Sequence, residues 1–244
     1  MNATTSPTAD PTTTPPATTV AGAHIWFLLD RSGSMAPLAT AVVDGFNGFV
    51  VEQRNMIGTT DAPPARLSLA QFDGEAPFEE LVYSRRIDKV EPLAPDAFQP
   101  RGSTPLYDAI ARVVDRADQR VANRIKKARP AESQLVVIFT DGQENASRHW
   151  NQASIARRIE KRKAKGWTFV FLGANQDSYA TGRGLAMAAG SVSDYLASPA
   201  SMARAWGSVS RSVSMYLTKD DVQRRRDQDD FFDGTKEAEA DPSS

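Results

Sequence analysis

Two hydrophobic patterns alternate along this chain. His24–Leu29 is an unbroken run with the length and the aromatic and branched content of a strand buried on both faces, and Leu135–Phe139 and Thr168–Leu172 repeat it. Between these runs, apolar residues recur at steps of three and four. Leu38, Val42, Phe46, Phe49 and Val50 follow Pro37, which suits a helix's opening turn. Leu106, Ile110, Val113, Ala117, Val121 and Ile125 form a second stripe, with Thr104 at its N-cap position and Pro105 at its first residue. Ile155 and Ile159 mark a helix from about 151 to 165 that Gly166 ends, and Met202, Trp206, Val209, Val213 and Tyr216 or Leu217 mark a last helix from about Pro199.

Arg66–Phe72 instead alternates, and an Asp73–Gly74 turn separates it from Phe78–Tyr83, which predicts an antiparallel pair at a sheet edge with one solvated face. A helix of small residues precedes a short strand around Val192–Leu196. Strands alternating with amphipathic helices predict an α/β fold: three layers, doubly wound, with a mostly parallel central sheet and one antiparallel edge strand.

Composition sets the limits of this domain. The chain has 244 residues, of which 41% are hydrophobic and 24% charged, a balance that can bury one sizeable core. Residues 1–21 are rich in Thr, Pro and Ala and are expected to be disordered; 22–218 form the domain; 219–244 are expected to be an acidic, disordered tail. Cysteine is absent, which excludes thiolate metal sites and cysteine nucleophiles and suits a reducing compartment. With no basic start or apolar leader segment, and no window near the ~20 apolar residues of a membrane span, the expected location is the cytoplasm, with no membrane partner. The net charge of −1 hides an asymmetry, because residues 227–244 hold seven acidic side chains against Lys236 and leave the body net basic.

The candidate chemistry lies where the buried runs stop. The first ends on Asp30, followed by Ser32 and Ser34 around Gly33; the second is followed by Thr140, Asp141, Gly142, Gln143, Glu144 and Asn145. A proline-rich loop, 90–103, delivers Thr104 to the start of a helix. In a doubly wound sheet these segments share one edge, the edge where ligands bind. Asp30, Ser32, Ser34, Thr104 and Asp141 form an all-oxygen set suited to a hard divalent cation, Mg²⁺ or alternatively Mn²⁺ or Ca²⁺. Two carboxylates and three hydroxyls leave such an ion electron-poor, so an open coordination position favours an outside carboxylate. His24 and His149 have no second His or Cys at zinc spacing and read as structural or exposed.

The segments DRSGS, GSTPLYDA and FTDGQEN, in that order, resemble the D-x-S-x-S, threonine and T-D-G loops of von Willebrand factor A domains. The resemblance covers about residues 22–218 and implies a metal-ion-dependent adhesion site whose ligands are Asp30, Ser32, Ser34, Thr104 and Asp141. It also implies a last helix that moves when ligand engages. Without the cysteines of extracellular members, the chain looks more like the small intracellular von Willebrand A proteins of prokaryotes and their viruses. Arg101, Tyr107, Glu144 and Asn145 are candidates for the rim that a ligand touches.

The function expected is a non-enzymatic binding module that holds an Asp or Glu of a protein partner on the cation. A second reading is a Mg²⁺-dependent hydrolase or phosphoryl-transfer enzyme, disfavoured because the chain has no phosphate-binding G-x-x-x-x-G-K-[ST] loop, no nucleophile elbow and no evident general base. A third is nucleic-acid binding by the basic helix at 151–165 with Arg120, Arg124, Lys126, Lys127 and Arg129, disfavoured because stacking aromatics are scarce there. The acidic tail offers a self-interaction, either over these basic residues or at the metal of the same or a neighbouring molecule.

Overall fold

The computed structural model describes residues 22–57, 65–174 and 178–233. Its frame is a six-stranded sheet of order β3-β2-β1-β4-β5-β6. The strands are β1 (Ala23–Asp30), β2 (Arg66–Phe72), β3 (Glu79–Arg86), β4 (Ser133–Thr140), β5 (Thr168–Ala174) and β6 (Val192–Tyr195). All neighbours pair in parallel except β2 and β3, which are antiparallel and place β3 at the edge. This is the doubly wound, mostly parallel α/β sheet the periodicity predicts.

Helices cover both faces. On one, α1 (Ala39–Asn55) and α5 (Pro199–Thr218) pack over Ile25, Phe27, Leu29 and Phe139, with Trp206 stacked on Phe139 at 4.5 Å between ring centroids. On the other, α2 (Leu106–Lys126) and α3 (Gln152–Lys163) pack over Trp26, Leu28, Val136 and Ile138. A short α4 (Ser178–Gly184) leads to β6, and α6 (Asp221–Arg226) follows α5. Gly33–Asn55, the 3₁₀ turn plus α1, is long and apolar enough to cross a membrane by length and composition. Here its apolarity has another use, because Val42, Phe46, Phe49 and Val50 are buried in the core.

The structure corrects four expectations. β2 is not half-solvated: it is buried from Leu67 to Phe72, because the polar residues of its alternation are paired. Ser68 Oγ lies 2.9 Å from His24 Nε2 and accepts the Ser84 N–H at 2.8 Å, while Gln71 Nε2 donates to Glu79 at 3.1 Å. The α2 stripe stops short, with Val121 only partly buried and Ile125 63% exposed on the last turn, beyond the apolar layer. Thr104 is not an N-cap, for α2 begins at Leu106 behind Pro105 and has no side-chain cap from its N-cap residue.

Residues 219–233, finally, are not a disordered tail. Asp220 and Gln223 form a capping box for α6, Arg224 is buried and donates to the Tyr216 carbonyl, and Phe231 and Phe232 are buried in the core. The expectations for residues 1–21, the loop glycine and prolines at 58–64, and 234–244 lie outside the described residues.

Candidate metal centre

β1 and β4 are adjacent, and the helices that follow them leave to opposite faces of the sheet. The gap between their C-terminal ends is therefore the topological switch point, the natural crevice of such a sheet. Asp30 lies there, fully buried, with Oδ1 accepting the Ser32 N–H at 2.7 Å and Oδ2 accepting the Thr140 hydroxyl at 2.6 Å. Burial pushes its carboxyl up to about 6, and the hydrogen bonds from Thr140 and Ser32 oppose that rise only in part. Ser32 and Ser34 stand with their hydroxyl oxygens 3.1 Å apart, and Ser34 Oγ donates to Asp141 Oδ1 at 2.7 Å. Burial raises the Asp141 carboxyl as well, against the lowering effect of Ser34.

Thr104 enters the same space from a third loop. A Cβ placed on Gly142 would lie 2.9 Å from Thr104 Oγ1, 3.5 Å from Asp30 Oδ2 and 3.6 Å from Ser32 Oγ. Glycine at 142 thus leaves open a small cradle walled by a carboxylate and two hydroxyls. Among the described residues no group of three or more His, Cys, Asp or Glu side chains is placed to hold a metal. A cation at this edge would accordingly rest on Asp30 and Asp141 with the hydroxyls of Ser32, Ser34 and Thr104, a donor set that fits a hard ion.

The other expected site residues hold these loops in place. Glu144 accepts from the N–H groups of Ala146 and Ser147, from the Ser147 hydroxyl and, at 3.0 Å, from the Tyr107 N–H. It therefore satisfies a free donor in the first turn of α2, where no N-cap side chain does so. Asn145 Oδ1 accepts the Thr104 N–H at 2.9 Å, and its own N–H donates to the Thr104 carbonyl at 3.2 Å. Asp108 accepts from the N–H groups of Arg148, His149 and Trp150, which binds the loop after β4 to α2. Tyr107, half-buried, lines a cleft of about 220 Å³ beside Asp141, Gly142 and Ser178. Burial, with the Glu144 charge nearby, raises its hydroxyl pKa.

Sequence reading missed a brace under the first two loops. Arg31 is buried, and its Nε donates to Asp73 Oδ2 at 2.7 Å while its Nη1 reaches Glu79 at 2.7 Å. Arg101, expected at the rim, also reaches Asp73, at 3.2 Å. Asp73 Oδ1 accepts two backbone N–H bonds, from Glu75 and Ala76, each at 2.7 Å. Burial opposes ionisation of Asp73, but the Ala76 N–H and Arg31 outweigh it and hold the carboxyl below the usual range. Backbone bonds lace the same loops, from Arg101 N–H to the Arg31 carbonyl at 2.9 Å and from Gly33 N–H to the Gly102 carbonyl at 3.1 Å. An Arg directly after the D of D-x-S-x-S, with an Asp closing β2, was the available signal. Tyr195 completes the frame from β6 by donating its hydroxyl to the Thr140 carbonyl at 3.1 Å.

Neither histidine is at the site's centre. His24 is buried, stacked on Trp26 at 4.3 Å, and burial lowers its pKa. Several residues of the basic helices are paired: Arg120 and Arg124 converge on Glu132, Arg158 on Asp115, Arg162 on Asp118 and Lys163 on Asp229.

The family model for the von Willebrand factor type A domain matches residues 24–202, and the chain belongs to that family. Its members are in general metal-dependent adhesion and protein-binding modules. Among solved structures, the chain resembles proximal thread matrix protein 1 from the mussel byssus (17% identity, TM-score 0.54, 81% of this chain and 48% of that one). It also resembles the pilus adhesin SpaC from Lactobacillus rhamnosus GG (13%, TM-score 0.59, 81% and 30%) and the vWF domain of the type V pili tip protein Mfa5 from Porphyromonas gingivalis (10%, TM-score 0.55, 82% and 97%). At these identities the likeness is one of fold. The chain spans about half the length of the mussel protein. Comparison with curated proteins returns no match.

Proposed function

We propose that this protein is a metal-dependent binding module that captures an acidic side chain of a protein partner. Asp30, Ser32, Ser34, Thr104 and Asp141 hold a divalent cation, Mg²⁺ in the first instance, and the partner's Asp or Glu completes its coordination. The observation that carries this reading is the cradle beside Gly142, where oxygens of Asp30 and Ser32 from one loop and of Thr104 from another face one small space. Their charge fits the role, because two carboxylates that burial pushes up, Asp30 fully buried and Asp141 half-buried, are stabilised in ionised form by a bound cation. The mussel byssus relative supports it too, since one of its structures carries a zinc-occupied MIDAS motif (17% identity, TM-score 0.50). The surroundings support binding over catalysis, since Glu144 and Asp108 are both engaged by backbone N–H groups and are poorly placed to act as a general base. The cysteine-free composition suits a reducing compartment such as the cytoplasm, the location that belongs to this reading.

The test is a Mn²⁺ titration followed by water-proton relaxation on wild type, Asp141→Ala and Thr104→Val. Wild type is expected to bind one ion, with the affinity lowered at least about tenfold in either variant, the scale of a lost metal-site contact. Equal binding by all three chains overturns the ligand assignment.

A further inference from the structure

A second cleft, of about 250 Å³, lies beside the candidate metal centre. Its walls include Gly74 of the turn between β2 and β3, Ser103 of the loop before α2, Asp108 and Arg112 of α2, and Arg148 and His149 of the loop after β4. Ser103 precedes Thr104 in the chain, so this cleft and the cradle beside Gly142 share a wall. A Cβ on Gly74 would lie 2.3 Å from Ser103 Oγ, and glycine there lets the hydroxyl take its place in that wall.

The charges of this lining are not balanced within it. Asp108 is its one carboxylate among the described residues, and both oxygens are engaged by backbone: Oδ1 accepts from His149 at 3.1 Å and Trp150 at 2.9 Å, and Oδ2 from Arg148 at 2.9 Å. Arg112 stands one turn further along α2, at the spacing where an acid and an arginine ordinarily pair on a helix surface. Yet the Asp108 oxygens turn to the loop, and Arg112 has no ion-pair partner among the described residues. Nor, among those residues, do the guanidinium of Arg148, the ring of His149 or the hydroxyl of Ser103 have a partner. Two arginines against one engaged carboxylate leave the lining net positive, and all four unengaged side chains can donate hydrogen bonds.

Such a lining selects an oxyanion. A carboxylate offers two oxygens, whereas a phosphate monoester offers three terminal ones and nearly two negative charges, the better match to four donor side chains that include two guanidiniums. The volume is roughly that of eight waters, more than a lone phosphate fills, and leaves room for the residue that bears it. We infer that this cleft binds a phosphorylated side chain of a protein partner, independently of the cation. That this side chain and the acid on the cation belong to one partner rests on the function proposed above; occupancy of the cleft does not.

Heteronuclear NMR of the full chain in EDTA tests this, following the Ser103 amide and the Arg112 and Arg148 side-chain N–H signals. The probes are N-acetyl-phosphoserine amide, inorganic phosphate and acetate. The phosphoserine probe is expected to shift these signals to saturation, at least about fivefold more tightly than acetate and no more weakly than inorganic phosphate. Its affinity is expected to fall about tenfold in Arg112→Gln and in Arg148→Gln, the scale of one lost charge-assisted hydrogen bond, with Mn²⁺ affinity unchanged in both. Shifts that do not saturate, or that persist undiminished in R112Q/R148Q, overturn the site. Equal affinity for acetate overturns the phosphoryl assignment, and tighter binding of inorganic phosphate overturns the protein partner. Saturation with phosphoserine in a wild-type chain that binds no Mn²⁺ supports this site while refuting the metal reading, so the two fail separately.

Discussion

Asp73→Ala probes the brace on which the candidate site stands. The substitution removes a fully buried carboxylate from Arg31, whose side chain is 6% exposed, and from Arg101, and it leaves the Glu75 and Ala76 N–H groups without their acceptor. Glu79 still faces Arg31, but its side chain is 46% exposed and holds the charge less well. Breaking a buried pair from one side costs roughly 3–5 kcal/mol, because a charge is left in the interior without compensation. In a domain of this size that lowers Tm by roughly 8–15 °C. Asp73→Asn keeps an acceptor for the two N–H groups and is expected to lose less. The double variant Arg31→Met/Asp73→Ala removes both charges and is expected to recover at least about 1 kcal/mol relative to the sum of the single losses.

The assay is urea unfolding followed by circular dichroism, run beside the Mn²⁺ titration. Asp73 touches none of the candidate ligands, yet it pins the loop of Ser32 and Ser34 to the loop of Thr104, so Mn²⁺ affinity is expected to fall with stability. A loss under about 1 kcal/mol in Asp73→Ala, or strictly additive single and double losses, would refute the brace.

Two further outcomes follow from the structure. Burial alone would raise the Glu132 carboxyl, but Arg120, with His24 Nδ1 3.6 Å away, lowers it to about 2, and Arg124 also pairs with it. A depressed carboxylate contributes stability that is present above its unfolded value near 4.5 and is lost as pH falls toward 2; Glu132→Gln should therefore lower stability by up to about 3 kcal/mol at pH 7 and flatten the Tm profile between those values. Parallel profiles for the two chains would contradict the cluster. Phe232→Ala, at a residue 1% exposed, is expected to cost roughly 3–5 kcal/mol in the same unfolding assay, and a neutral result would mean that residues 219–233 are not part of the core.

Most of the architecture was legible because its signals are local. β1, β4 and β5 each hold an unbroken apolar run and are buried along nearly their whole length, because an inner parallel strand has no solvated face. Asp30 and Asp141 could be brought together on paper because both directly follow or end such strands. What escaped reading depended on partners distant in sequence. Ser68 and Gln71 made β2 look half-exposed, yet each is buried against a side chain from another strand. Glu144 and Asn145 read as rim candidates, and nothing local reveals that they also accept the N–H groups of Tyr107 and Thr104. In the expected tail, 219–244, the acidic charge of 227–244 outweighs two local signals, the Asp220 and Gln223 capping box and the Phe231–Phe232 pair.

The central claim, capture of an acidic partner through a cation, is tested most directly by affinity capture from a lysate of the source cells. Wild-type and Asp141→Ala baits are each used with Mg²⁺ and with EDTA, and the bound proteins are identified by mass spectrometry. The account predicts a protein retained by wild type with Mg²⁺, absent from the other three samples, and lost when its contact Asp or Glu is changed to Asn or Gln. The same proteins in all four samples would contradict it.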